Sequence, residues 1–315
     1  MRPLAPTAAG LLALALLAGC GDSEEPATAD APLQVAVAFY PVEEAARRVG
    51  GDRVEVTNLT PPGVASHDLE LTPTAAAALE EADLVLYLGG GFQRSVERAV
   101  GNRAEGSSID LLGSVDLRTV DDAVPGVVGE VDGTELAGRR DPHVWVDPAR
   151  YAEMVEAVRD GLIAADPGDA DTYRTNAEVF LGALRDLDRT FARELAGCRG
   201  RVLVTSHAAF GYLADRYGLR QAPIAGITPN EEPDPRSLAA TARYAKANGV
   251  TTVFFETLVP RKLADTVARE IGARTDALDP VEGIPQEQLD AGADYASIQR
   301  DNLRRLVKGL ACTAG

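Results

Sequence analysis

From residue 33 onward, short β-branched runs alternate with stretches of helical pattern. "QVAVAFYP" is followed by "VEEAARRVG", "RVEVTNLTPP" by the alanine-rich "TPTAAAALEEA", and "DLVLYLGGG" by "FQRSVERAV". An irregular stretch rich in Gly, Asp and Val, residues 114–142, then leads through "HVWVDP" into a helix predicted from about Ala149 to Ala165. A second series pairs "RVLVTSH" with "AAFGYLADRYG", "RQAPIAGI" with "PRSLAATARYAKANG", and "TTVFFET" with "RKLADTVAREIG". "RTDALDP" and a closing helix, "YASIQRDNLRRLVKGL", complete it. Strands that alternate with helices predict α/β layers built on mostly parallel sheets.

Between the two series, residues 170–198 contain no proline, and their only glycine before the end is Gly182. Val179, Leu184, Leu187, Phe191 and Leu195 follow an approximate helical repeat. One helix of about 25 residues would be about 38 Å long, the width of a small domain. The expected architecture is therefore two α/β lobes joined by one long connecting helix. The predicted boundaries are a lobe over residues 33–168, a connector over 169–197 and a second lobe over 198–315.

The start of the chain carries a different signal. Arg2 is followed by an apolar core too short to span a bilayer as an anchor, then by small residues running into Cys20. Residues 1–19 read as a signal peptide. The ending Leu17-Ala18-Gly19-Cys20 resembles the bacterial lipobox, which implies cleavage before Cys20 and lipidation of its sulfur. Several acyl chains on that one residue would hold the protein to a membrane face. Residues 20–32 then form a polar, acidic tether with nothing to bury.

Export changes how the remaining cysteines are read. With Cys20 lipidated, Cys198 and Cys312 most simply form one disulfide in an oxidising compartment. A thiolate metal pair is the alternative, although neither has a second cysteine nearby in sequence. Loss of residues 1–19 removes only Arg2 among charged side chains and takes the formal charge from −17 to −18. Such a surface repels nucleic acid and attracts cations.

The chain has only three histidines, His67, His143 and His207. Open α/β sheets bind ligands just past the carboxyl ends of their strands. His207 ends "RVLVTSH", and His67 follows "VEVTNLTPP" after a short glycine-containing loop. Asp279 ends "RTDALD", and His143 sits where a loop feeds the run "VWVDP". Two histidines come from the first lobe, while His207 and Asp279 come from the second, so the four can meet only in the cleft between lobes. Three imidazoles and one carboxylate suit a tetrahedral zinc ion. Each has a blander role open to it, as a hydrogen-bonded core histidine or, for Asp279-Pro280, a turn initiator. Free imidazoles titrate near 6.5, so the rings are expected to be mostly neutral at pH 7.5 and to lose zinc in acid.

The motifs "SHDLELTP", "DPHVWVDP", "TYRTNAEVFLGALRDLD", "TSHAAFGYLADRYGL" and "GITPNEEPDP", and "VFFET" with "LDP" after it, stand in one order along the chain. In that order they resemble the zinc- and manganese-binding solute-binding lipoproteins of bacterial ABC importers, from about Val35 to Leu310. The resemblance implies two α/β lobes joined by a long helix, with metal held by His67, His143, His207 and Asp279 in the interlobe cleft. It also implies a monomeric, extracytoplasmic receptor that carries Zn(II) as cargo to an ABC permease and its ATPase. Manganese-type relatives tend to carry a glutamate where this chain has His207, and nitrogen-rich four-coordinate sites suit zinc better than manganese. A manganese-type receptor or a metal-dependent adhesin is the alternative.

A zinc hydrolase fits less well. Catalytic zinc keeps one coordination position open for water, and the chain has no HExxH pattern. Two departures from the zinc-type pattern stand out. The acidic stretch 116–141 holds no histidine, and Ser66 precedes the first ligand where relatives commonly carry proline. Glu70 is a candidate to orient the His67 ring, or else simply a carboxylate leading into the next helix.

Overall fold

The structure, a computed structural model, describes residues 31–67, 69–119, 140–230, 233–258 and 260–313. The predicted signal, Cys20 with its tether, and most of the acidic stretch 116–141 lie outside the described residues. Residues from Pro32 onward make one compact unit, and among the described residues no helix is long and apolar enough to cross a membrane.

The first half alternates as the pattern predicts: β1 (Leu33–Val37), α1 (Tyr40–Gly50), β2 (Val54–Asn58), α2 (Pro73–Glu81), β3 (Leu84–Tyr87), α3 (Arg94–Asn102) and β4 (Ser107–Asp110). Two long helices follow, α4 (Pro148–Ala165) and α5 (Ala170–Ala196). The second half runs β5 (Val202–Thr205), α6 (Gly211–Arg216), β6 (Arg220–Pro223), α7 (Pro235–Ala247), β7 (Thr252–Phe255), α8 (Lys262–Ile271) and β8 (Arg274–Ala277). The chain closes with α9 (Gln286–Asp290) and α10 (Tyr295–Gly309).

Both sheets are wholly parallel and share one topology, with strand orders β2-β1-β3-β4 and β6-β5-β7-β8. In each sheet the order reverses beside the first strand formed, β1 or β5. The loops leaving neighbouring strands diverge at such a point and open a crevice at their carboxyl ends.

Local chemistry fixes several helix starts. Thr72, Asp147 and Asp234 each precede a proline at the first helical position, and each side chain accepts a backbone N–H of the first turn. Asp294 caps α10 in a reciprocal box with Ser297.

The connector α5 buries Tyr173, Ala177, Phe180, Leu181, Leu184, Leu187, Phe191 and Leu195. Val179 is 73% exposed. It lies five residues before Leu184, about 140° away around a helix of 3.6 residues per turn, so its place on the predicted apolar face was out of phase. Cys198, just past α5, is disulfide-bonded to Cys312, just past α10. This ties together the two helices on which both lobes pack.

The largest apolar core runs through both lobes and includes Val37, Trp145, Leu187, Phe210, Phe254 and Leu306, with a smaller one in each lobe beside it. Polar bonds cross it as well. Trp145 Nε1 donates to the Pro280 carbonyl at 2.8 Å, Tyr295 Oη donates to the Trp145 carbonyl at 2.7 Å, and Gln299 Nε2 donates to the Val146 carbonyl at 3.0 Å. The run "VWV" is a 3₁₀ turn, Val144–Val146, rather than a strand. All three of its residues are buried, so its continuous apolar run marks burial and not extended backbone.

Candidate metal centre

Each lobe supplies part of one site. His207 lies two residues past β5, and Glu256 follows β7 directly. His67 is carried on the long loop after β2, and His143 opens the 3₁₀ turn ahead of α4. The three imidazoles converge with Glu282, five residues past β8, into one group of potential metal donors.

The four donor atoms all lie within 4.8 Å of one another. His67 Nε2 is 3.1 Å from His143 Nε2, which is 3.4 Å from His207 Nε2. Glu282 Oε1 lies 3.1 Å from His207 Nε2, 3.4 Å from His67 Nε2 and 3.5 Å from His143 Nε2. A tetrahedral zinc ion with bonds of about 2.0–2.1 Å would set its ligands about 3.3–3.4 Å apart. The four donors therefore enclose a space of zinc's size.

The ring orientations are set from behind. His143 Nδ1 donates to Asp141 Oδ1 at 2.7 Å, and the same oxygen accepts the His143 backbone N–H at 3.0 Å. His207 Nδ1 donates to Glu256 Oε2 at 2.6 Å, while Glu256 Oε1 accepts the His207 backbone N–H at 3.0 Å. Carboxylates placed this way fix the tautomer and direct each Nε2 lone pair into the site. Phe92 stands edge-on to His67 with ring centroids 4.7 Å apart, and Trp145 lies 5.2 Å from His143, so the surrounding wall is apolar.

Burial makes the electrostatics demanding. The side chains of His143 and His207 are 0% exposed, that of His67 is 2% exposed and that of Glu282 is 4% exposed. Burial alone would lower the His207 pKa, but Glu256 and Glu282 outweigh it and push it up to about 10. At His143 burial is likewise outweighed, by hydrogen bonds to Asp141 and Glu282, and its pKa rises. At His67 burial wins and the pKa falls. Burial would raise Glu282, yet the surrounding histidines hold it well below the usual carboxylate range. Asp141, Glu256 and Glu282 thus gather negative charge where water cannot solvate it, and only bound cations, protons or metal, can balance it.

Asp279 stands apart from this group. Its Oδ1 accepts the Val281 backbone N–H at 2.8 Å, and its Oδ2 accepts from Thr257 Oγ1 at 3.4 Å. Asn302 pins its main chain on both sides, donating to the Asp279 carbonyl at 2.7 Å and accepting its N–H at 2.9 Å. Burial pushes the Asp279 pKa up to about 6. The carboxylate is engaged in closing a tight turn in which Val281 adopts φ 59°, and this turn presents Glu282 to the histidines. Sequence reasoning missed Glu282, whose only signal was a second acid three residues after Asp279 in "LDPVEG". Glu70 is exposed and, among the described residues, makes no hydrogen bond to His67.

Residues 35–309 match the family described as zinc-uptake complex component A, periplasmic. The chain belongs to this family. The high-affinity zinc uptake system protein ZnuA of Bacillus subtilis (strain 168) is 33% identical over 303 residues, 94% of each chain. The zinc-binding lipoprotein AdcA of Streptococcus pneumoniae (strain ATCC BAA-255 / R6) is 33% identical over 313 residues; the match covers 97% of this chain and 60% of AdcA. The crystal structure of the Zn(II)-bound ZnuA-like domain of Streptococcus pneumoniae AdcA superposes with a TM-score of 0.73 at 33% identity, over 89% of this chain and 99% of that one. Two parallel-sheet lobes joined by a long helix are thus the fold of this zinc-uptake family as well as of this chain. Members of the family are solute-binding receptors that serve ABC importers.

Proposed function

We propose that this chain captures Zn(II) outside the cytoplasm through His67, His143, His207 and Glu282 and hands it to an ABC permease driven by its ATPase. The observation that carries this reading is the buried three-imidazole, one-carboxylate group, with all donors within 4.8 Å of one another and five of the six separations at 3.1–3.5 Å. In it Glu282 takes the place expected of Asp279, and Asp279 supports the turn behind. Three nitrogens and one carboxylate oxygen in a closed shell suit zinc, whereas manganese prefers more oxygen and higher coordination.

The steps that follow belong to this chain's own side chains. Asp141 and Glu256 hold the Nδ1 protons of His143 and His207, so each Nε2 faces the metal. Without metal, a proton on His207 Nε2 pairs with Glu282 Oε1 at 3.1 Å; capture of Zn(II) displaces it. A fourth protein ligand occupies the position that a hydrolytic zinc site leaves to water, so the reading is a receptor and not an enzyme. Lipidation of Cys20 would keep a single, monomeric chain near its permease.

The test is metal analysis of the full chain purified without added metal. One zinc per chain is expected, lost in His143→Ala and His207→Ala. Two tightly held zinc ions, or none, would overturn the assignment.

A further inference from the structure

The shared apolar core and the Trp145, Tyr295 and Gln299 bonds join the lobes firmly around α5 and α10. The loop that brings His67 to the site is held differently. Pro61, Pro62, Gly63 and Val64 are exposed, Ala65 is half-buried, and Ser66 is 0% exposed. Ser66 Oγ donates to the Glu282 carbonyl at 2.6 Å, across 216 residues of sequence. One hydrogen bond thus links the side chain of the residue before His67 to the main chain of Glu282 itself.

The surfaces on either side fit closely. A Cβ on Gly283 would lie 3.1 Å from the Val64 carbonyl oxygen, and one on Gly63 would lie 3.8 Å from Pro285 Cα. The loop over residues 61–66 therefore lies flush on the segment 282–285 as a strap over the site. For a metal ion to leave, His67 must withdraw from it. The strap that carries His67 cannot lift without breaking the Ser66 bond, which would leave the buried Glu282 carbonyl without this donor.

We propose that Ser66 is a latch: a positioning residue that touches no metal but sets how long the metal is retained. The proposal rests on the reading of the four-donor group as the zinc site. A buried hydrogen bond broken on the way out and re-formed only in the closed site acts on dissociation and leaves association alone. A bond of the usual net strength corresponds to about 5- to 10-fold in the dissociation rate.

The experiment is stopped-flow release of zinc from the full, loaded chain into excess chromophoric chelator, with association measured separately. Ser66→Ala is expected to release zinc about 5- to 10-fold faster, with unchanged stoichiometry and association rate. Gly283→Ala, whose Cβ would press on the Val64 carbonyl, is expected to act in the same direction and not to multiply with Ser66→Ala. Thr60→Val is the control. It removes another buried hydroxyl-to-carbonyl bond, Thr60 Oγ1 to Ala38 O at 2.7 Å, within the first lobe. It is expected to lower thermal stability and leave the release rate alone. Release from Ser66→Ala within twofold of wild type, or equal acceleration by Thr60→Val, would overturn the latch and leave the zinc site standing. A wild-type chain that retains no zinc would overturn both.

Discussion

Glu256 holds His207 twice, with one oxygen 2.6 Å from the ring Nδ1 and the other 3.0 Å from the residue's own backbone N–H. Because Glu256 follows β7 and His207 follows β5, adjacent strands of one sheet, the pair is fixed by sheet register and not by a flexible loop. Removing this support frees the ring to rotate and to place its proton on either nitrogen. Glu256→Gln is therefore expected to weaken zinc binding about 10- to 100-fold while keeping one site per chain. Competition against a chelator of known affinity measures this directly. An unchanged affinity would mean that the carboxylate has no hold on the ligand.

The dependence on pH departs from what three ordinary imidazoles would give. His207 sits against Glu256 and Glu282 with its pKa pushed up to about 10, so at pH 7.5 the metal-free site holds a proton there. Zinc must displace it, and affinity is expected to keep rising by at least about one log unit per pH unit from pH 7.5 to 9. His67, lowered by burial, adds nothing in that range. Calorimetry in buffers of different ionisation heat should find at least one proton released per zinc at pH 7.5. The metal-free fold carries the same signature. A histidine whose folded pKa lies above its unfolded value near 6.5 stabilises fully below pH 6.5, and that stability is lost as pH rises through about 10. Affinity that levels off above pH 7.5 would contradict the raised value.

Glu282 and Asp279 are expected to separate cleanly on mutation. Glu282→Gln removes a donor from the group and leaves a neutral amide among buried histidines, so tight zinc binding should be lost. Asp279→Asn leaves the four donors in place and weakens only the turn around Val281. Its cost should stay within the roughly 10- to 100-fold typical of an outer support. Titration of both variants under one set of conditions decides the order. If Asp279→Asn proved the more damaging, Asp279 would be the ligand and Glu282 the bystander.

That pair also marks how far the sequence could be read. The alternation of apolar runs and helical repeats was enough for two parallel-sheet lobes and the long α5, because those signals depend only on periodicity. Strand β4, with its polar "SSID", lacks an apolar run because it lies at a sheet edge and is not deeply buried. The five-residue α9 buries none of its side chains and offered no stripe to detect. His207 could be placed at a strand end, and His67 and His143 in loops reaching the cleft, from position alone. Which of two acids three residues apart reaches them depends on the left-handed backbone at Val281. Non-glycine residues rarely adopt that conformation, and nothing in a valine announces it. Asp141 and Glu256 were present in the quoted motifs, but their hold on the rings exists only once the crevices close around them.

Trp145 makes zinc capture visible without a label. It is the only tryptophan in the chain, it is 0% exposed, its ring lies 5.2 Å from His143, and its Nε1 is bonded to the Pro280 carbonyl. Asp141 and Glu282 raise the His143 pKa, which favours a protonated ring beside the indole in metal-free protein. A protonated imidazole at that range accepts an electron from the excited indole and quenches its emission. Zinc capture replaces the proton, so emission is expected to rise and to saturate at one equivalent. The emission maximum should stay put, because the indole remains in the same dry wall. His143→Ala should be brighter from the outset and unresponsive to zinc. A fall in intensity, or a shift of the maximum to the red, would mean that capture rearranges the Trp145–Pro280 contact, and the firm junction between the lobes would have to be abandoned.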